Sequence, residues 1–236
     1  MCRAASKPHP EDACLRYTAS MTTLAKALVT GASSGIGAAI AQRLARRGYE
    51  VWLAARRKEA LDAQVVAIES EGGRAHAVTL DVSEPEEVEG RVAALDAEVA
   101  GFDLVVANAG IGGGAMPVAR QSFADFRRVM ETNLMGAVAT LLPVIPRMVE
   151  RGSGHIVGVT SLAGEIPLPA AADYGTSKAA LSFFLASAAS DLGPRGVAVT
   201  DVRPGFVCTP LTDKNSFHIA LLVSREAAAA IIDRGI

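Results

Sequence analysis

The sequence predicts an α/β fold, a parallel sheet covered by helices on both faces, and three observations carry that expectation. Short apolar runs alternate with amphipathic stretches along the chain, the pattern of strands that each return through a helix. The run Lys26-Ala-Leu-Val-Thr30 passes through Gly31-Ala-Ser33-Ser34-Gly35-Ile36-Gly37 into Ala38-Ala-Ile-Ala-Gln-Arg-Leu-Ala-Arg-Arg-Gly48, which reads as strand, glycine turn and helix with Gly48 as the stop. Half of the 236 residues are hydrophobic (50%) and only 5% are aromatic, so Ala, Val, Leu and Ile must fill one sizeable core.

Element by element, strands are expected near 26–31, 50–55, 75–80, 103–107, 155–160 and 197–202, with helices near 36–47, 58–71, 85–100, 123–150, 173–192 and 224–234. Ser83 and Glu86 have capping-box spacing at the crossover into the fourth strand. Pro143 and Pro146 fall inside a long helical pattern and should kink or interrupt it. No repeat and no linker divides residues 21–236, which read as one domain. Residues 1–20, with Pro8, Pro10 and no periodicity, are expected to be a disordered extension ahead of a natural start at Met21, and they lack the apolar region of a secretory signal.

Composition narrows the function classes. Net charge is −2 with no basic stripe, which argues against a nucleic-acid partner. No apolar run reaches the ~18 residues of a membrane span. Cys2, Cys14 and Cys208 form neither a disulfide framework nor a metal-ligand spacing, and point to a reducing cytoplasm; Cys208 reads as a small apolar filler. His9, His76, His155 and His218 have no ligand spacing either, so no metal is expected, and His155 at a strand start reads as structural.

Two constellations carry chemistry. Gly31-x-x-x-Gly35-x-Gly37 is a variant of the dinucleotide fingerprint: Gly31 for a tight turn, Gly35 for close approach of backbone to a pyrophosphate, Gly37 for close packing, and a helix N-terminus whose free N–H groups suit phosphate. The same residues also fit Gly-x-Ser-x-Gly, the spacing of a hydrolase nucleophile elbow, but the continuation Ile36-Gly37 favours the nucleotide reading. The second constellation is Tyr174 and Lys178, four apart in an expected helix and so on one face. A free phenol has a pKa near ~10, and a neighbouring ammonium favours the phenolate, so the pair is a candidate acid/base.

Taken together, Thr30-Gly-Ala-Ser-Ser-Gly-Ile-Gly37, Asp81-Val82, Asn108-Ala-Gly110, Asn133, Ser161, Tyr174-x-x-x-Lys178 and Pro204-Gly205 resemble the motifs of the short-chain dehydrogenase/reductase family, in that family's order and spacing, over about residues 24–235. The resemblance implies a doubly wound Rossmann fold. That family ends on a further strand after the last helix; this sequence stops at Ile236, so a sheet of about six strands is expected. It departs from the family's Asn-Asn-Ala-Gly in having Ala107 before Asn108, a minor change because Asn108 is retained.

The resemblance also implies roles. Ser161 would bond the substrate oxygen, Tyr174 would exchange the proton, Lys178 would lower the phenol pKa and hold the nicotinamide ribose, and Asn133 would hold a water linking Lys178 to solvent. The cofactor set would comprise Gly31, Ser33, Ser34, Gly35, Ile36, Gly37, Asp81 and Val82 at the adenine, Asn108, Ala109 and Gly110 along the ribose, Tyr174, Lys178, and Pro204, Gly205, Val207 and Thr209 at the nicotinamide and phosphates. Where dinucleotide folds often carry an acid at the end of the second strand, this chain has Ala55, followed by Arg56 and Arg57. No carboxylate repels a 2′-phosphate there and a guanidinium can bond one, so NADP is expected over NAD, with Arg56 as its ligand and Arg57 ambiguous. The expected activity is interconversion of a carbonyl and a secondary alcohol by a homodimer or homotetramer packed through helices 123–150 and 173–192. The alternative is a catalytically silent NADP-binding sensor or a regulatory or structural subunit. Residues 111–122, 162–172 and 206–223 would set specificity, and Leu211, Phe217, Ile219, Leu221 and Leu222 fit either an apolar substrate or a lid packed on its own domain.

Overall fold

Residues 24–112, 116–212 and 222–236 are described by a computed structural model. The expected extension at 1–20, with Cys2, Cys14 and His9, lies outside the described residues, as do Phe217, His218, Ile219 and Leu221 of the expected substrate loop.

Six strands form one parallel sheet in the order β3-β2-β1-β4-β5-β6. They are β1 Lys26–Thr30, β2 Glu50–Ala55, β3 Arg74–Thr79, β4 Leu104–Ala107, β5 Gly154–Val159 and β6 Val197–Val202. The order reverses between β1 and β4, the switch point where open α/β sheets hold ligands in a crevice outside the carboxyl ends of the strands. Alternation along each strand feeds two cores. Val29, Leu53, Val106 and Val157 point to the layer of α1 (Gly35–Arg46), α2 (Lys58–Ser70) and α8 (Arg225–Asp233). Their neighbours Leu28, Ala54, Val105 and Ile156 point to the layer of α3 (Pro85–Glu98), α5 (Gly136–Leu141) and α7 (Ala172–Leu192). Strands buried on both faces read as nearly continuous apolar runs, which is why β1 and β4 stand out in the sequence.

The expected helix at 123–150 is broken in two ways. The prolines act as anticipated: Pro143 lies in the 3-10 turn Leu142–Val144 and Pro146 in the first turn of α6 (Ile145–Arg151). The sequence offered no comparable sign of the π turn Glu131–Met135 that separates α4 (Phe123–Met130) from α5. The whole segment Phe123–Arg151 is long and apolar enough to cross a membrane. Here Val129, Leu141, Val144 and Met148 bury it against the protein core instead.

One local expectation is corrected. Ser83 and Glu86 make no capping box: α3 starts after Glu84 with Pro85 in its first turn and no side-chain cap. Ser83 donates instead through its N–H and Oγ to Asp81 Oδ1, at 3.1 and 2.8 Å. A carboxylate two residues back wins because an Asx-type turn needs no helix to form. At the far edge, α8 is tied to α1 by Arg43 and Arg47, both paired with Asp233. β6 is the outer strand of the described sheet, where Thr200 Oγ1 donates to Gly235 O at 3.3 Å. His155 meets the same hydroxyl at 2.8 Å, a structural contact as expected.

Candidate active site

The glycine turn is built by close approach. Gly31 (φ +69°) and Gly35 (φ +60°) take left-handed conformations that side chains rarely adopt. Gly37 is needed for space: a Cβ there would stand 2.4 Å from Asn108 Nδ2 and 2.5 Å from Gly31 O. Asn108 stitches the crevice shut underneath, donating from Nδ2 to Thr30 O at 2.9 Å while its N–H and that of Ala109 go to Thr30 Oγ1. Thr30 was read only as part of a motif, yet its hydroxyl takes both bonds.

The N-terminus of α1 is left open. Ser34 stands at its cap, but its side chain makes no bond to the helix N–H groups, and no acidic residue occupies the first turn. Those N–H groups are therefore available to an anion. Ile36 is half-buried and packs on the core beneath. Thr209 roofs the turn, 3.3 Å from where a Cβ on Gly35 would be. Val207 is buried and bridged to Val223, so the segment after Pro204-Gly205 folds back over the glycines.

Of the two arginines after β2, Arg57 reaches the glycine loop. Its Nη2 lies 3.2 Å from both Ser33 Oγ and Ser34 Oγ. Arg56 is directed elsewhere, 3.9 Å from Asp81 Oδ2 and largely exposed. Ala55 is buried at the end of β2. Asp81 is bonded by Ser83, and the carbonyl of Val82 lies against Gly136, where a Cβ would be only 2.1 Å from it. Gly136 thus belongs with the site's glycines, although no spacing pattern marked it.

The reacting groups converge beside this crevice. Tyr174 and Lys178 share a face of α7, with Lys178 Nζ 5.9 Å from the phenol ring centroid. Ser161, at the exit of β5, stands beside the Tyr174 phenol; its Oγ accepts from Ala163 N at 3.1 Å and lies 3.5 Å from Pro204 O. Pro204 O accepts from Leu162 N at 3.0 Å, holding Pro204-Gly205 alongside. Gly110 closes the other side: a Cβ there would be 3.1 Å from Asn133 Oδ1 and 3.5 Å from Lys178 Nζ. Asn133 is fully buried. Its Oδ1 accepts from Ile111 N at 2.8 Å and its Nδ2 donates to Ile111 O and Ser177 Oγ. The π turn swings this amide out of the helix toward those partners, a common use of such turns at functional sites. Thr160 faces away from Ser161, as strand alternation requires, and bonds Asp201 and Val202 O.

Two expectations are corrected. The phenol of Tyr174 is pushed up, not down: burial disfavours the phenolate, and the nearby Ser161 hydroxyl offsets this only in part. Lys178 does not reverse the direction because its ammonium is drawn to Val159 O at 2.7 Å. Burial lowers Lys178 itself to about 8, against the opposing charge of Asp201. Cys208 is exposed rather than a buried filler, because it follows Val207 on the open side of the returning segment. Among the described residues no cluster of His, Cys, Asp or Glu has the arrangement of a metal site.

A dinucleotide-type α/β fold with a serine, a phenol and an ammonium at its crevice defines an oxidoreductase of one broad class. Residues 25–219 match the short chain dehydrogenase family, and the chain belongs to the short-chain dehydrogenase/reductase family of oxidoreductases. An uncharacterized oxidoreductase of Myxococcus xanthus (strain DK1622) is 46% identical over 210 residues, covering 89% of this chain and 83% of its own. A short-chain dehydrogenase from Sphingobium yanoikuyae, solved in complex with NADPH, superposes with a TM-score of 0.84 at 29% identity over 90% of this chain and 84% of its own. An NAD+-bound xylitol dehydrogenase superposes with a TM-score of 0.80 at 28% identity, covering 89% and 90%.

Proposed function

We propose that this chain is an NADP(H)-dependent oxidoreductase that interconverts a carbonyl and a secondary alcohol, with Tyr174 as the acid/base. The observation that carries the reading is the convergence of Ser161, Tyr174 and Lys178 against Gly110 at the open end of the β1–β4 crevice. The residues present fit a dinucleotide. The α1 N-terminus is uncapped, Gly31, Gly35 and Gly37 leave no side chain over it, and Arg57 with two serine hydroxyls stands at its rim. A nicotinamide cofactor, when bound, supplies or accepts the hydride.

The chain's own residues handle the oxygen and the proton. Ser161 Oγ is positioned to bond the substrate oxygen. The raised phenol stays protonated at neutral pH, which suits Tyr174 to donate toward an oxygen gaining negative charge. Lys178, buried beside it, stabilises that charge while protonated and is the group able to hold ribose hydroxyls. Its low value sets a pH dependence: below about 8 the ammonium is present, and above it the amine is neutral. kcat/KM for carbonyl reduction should therefore fall as pH rises through about 8. A profile flat from neutrality to well above that point would separate Lys178 from the rate.

Preference for NADP rests on what surrounds the end of β2. Ala55 brings no carboxylate, and Arg57, Ser33 and Ser34 form a cationic donor set next to it. In this assignment Arg57, rather than Arg56, meets the 2′-phosphate. Arg57→Gln should weaken NADPH binding by about 1.5–3 kcal/mol, roughly a 10- to 150-fold rise in Kd, with little change for NADH. Ala55→Asp should shift preference toward NADH. Fluorescence titration of both cofactors checks this, and an unchanged NADPH-to-NADH ratio in both variants would sink the assignment.

The direct test is NADPH and NADH turnover with a panel of ketones and aldehydes. Tight NADPH binding with no turnover on any of them would favour a cofactor sensor instead. A homodimer or homotetramer built on α4–α6 and α7, in the reducing cytoplasm, completes the reading, with Phe123 and Phe183 exposed on those helices.

A further inference from the structure

Beneath the reacting groups, where β5, β6 and α7 meet, lies a polar cluster that the chemistry above does not use. Its centre is Asp201, on β6 in register with Gly158 of β5. Its side chain is 14% exposed. Asp201 Oδ1 accepts from Thr160 Oγ1, and Oδ2 from Ser182 Oγ, both at 2.5 Å. Thr160 immediately precedes Ser161, and Ser182 lies one helical turn beyond Lys178. Arg203 completes the cluster: Nε donates to Asp201 Oδ2 at 2.7 Å, Nη2 to Ser182 Oγ at 3.0 Å, and Nη1 to Glu165. Glu165 ends the 3-10 turn Leu162–Gly164 that leads from Ser161 toward Tyr174.

We propose that Asp201 is a positioning residue for the Ser161–Tyr174–Lys178 cluster: its carboxylate locks the exit of β5 to α7 and supplies the negative charge facing Lys178, and Arg203 extends that hold to Glu165. A nearly buried carboxylate is costly without partners, and three donors from two other hydroxyl-bearing segments and an arginine offset that cost here. The groups so joined are the ones on which the proposed reaction depends, so the inference rests on that reading. A small misplacement of such groups lowers rate without abolishing cofactor binding.

The charged surroundings of Lys178 make the electrostatic part testable. β6 and its exit bring Asp201 and Arg203, and the turn after Ser161 brings Glu165. α7 itself carries Asp173 and Tyr174. The π turn brings Glu131, paired with Arg127, and α4 brings Asp125 and Arg128, paired with each other. β5 brings only the Val159 carbonyl. Asp201 lies in register with Gly158, next to the Val159 whose carbonyl holds Lys178 Nζ, and it bonds Ser182 one helical turn beyond Lys178. Its carboxylate is therefore on the Lys178 side of α7 and opposes the loss of the ammonium.

The experiment is an NMR titration of isotope-labelled lysine side chains, of which the chain has five, on the full chain as wild type, Asp201→Asn and Arg203→Gln. Steady-state kinetics and NADPH titration accompany it. Losing the carboxylate should lower the Lys178 midpoint, and losing the guanidinium that neutralises it should raise the midpoint. In Asp201→Asn, kcat should fall roughly 10- to 100-fold while the Kd for NADPH stays within about twofold. Coincident Lys178 midpoints in the three proteins would overturn the charge role. A shifted midpoint with wild-type kcat would overturn the positioning role. Arg203→Gln keeps the test open if Asp201→Asn does not fold, because Arg203 is at the surface. If wild type turns over no carbonyl, the proposed reaction fails, whereas the midpoints still decide the part played by Asp201.

Discussion

Tyr174→Phe is expected to lose turnover by roughly 10²- to 10⁴-fold while binding NADPH nearly as wild type does, the range a positioned acid/base contributes. That loss corresponds to about 3–5 kcal/mol of transition-state stabilisation. The substitution removes one oxygen beside Ser161, and Ser161 keeps its bond from Ala163 N, so the wall of the site should stand. The ring remains packed beside Lys178, so the thermal midpoint should move little. Steady-state NADPH oxidation with an accepted carbonyl, alongside fluorescence titration of NADPH, measures both halves. Activity within a few-fold of wild type would remove the phenol from the chemistry. A parallel loss of binding would mean that Tyr174 acts mainly on the cofactor.

Gly37→Ala carries the second large effect, on fold and cofactor together. The added Cβ would meet Asn108 Nδ2 at 2.4 Å and the backbone oxygen of Gly31 at 2.5 Å. Neither is the free end of a flexible side chain: Asn108 is bonded to Thr30 O, and Gly31 is held in a left-handed turn. Overpacking of this kind costs about 1–3 kcal/mol. That corresponds to a drop of roughly 2–12 °C in Tm for a chain of this size. The contacts lie in the turn that would cradle the pyrophosphate, so NADPH affinity should fall more steeply than stability. Gly90→Ala is the control. It lies within α3 with nothing within 4 Å of an added Cβ, and the substitution should stabilise by about 0.5–1 kcal/mol. Equal melting points and equal NADPH affinity for Gly37→Ala and wild type would show that the close approach is not required.

The two variants probe the parts of the site that were most legible before folding. The glycine spacing and the Tyr-x-x-x-Lys pair are local patterns, and α1 and α7 form around them within a residue or two of the expected bounds. Arg57 was less legible than Arg56 because direction at the end of a strand depends on how the chain enters the next helix. Arg57 caps α2 and turns back to the serines, while Arg56 turns toward Asp81. Asp201 and Arg203 carried no signal at all, since their partners Thr160, Ser182 and Glu165 lie about 19–41 positions away in the chain.

The order of apolar and amphipathic segments, with glycines at the first turn, is enough by itself to determine a parallel α/β sheet and to put Tyr174 above Lys178, because periodicity and helical spacing act over a few neighbouring residues. Only the tertiary structure decided the electrical state of that pair. Burial raises the phenol, lowers the amine, and turns the ammonium to Val159 O, with Asp201 brought in from another strand to oppose the shift. Desolvation depends on everything packed around a group, and that surrounding exists only once β5, β6 and α7 have closed on one another.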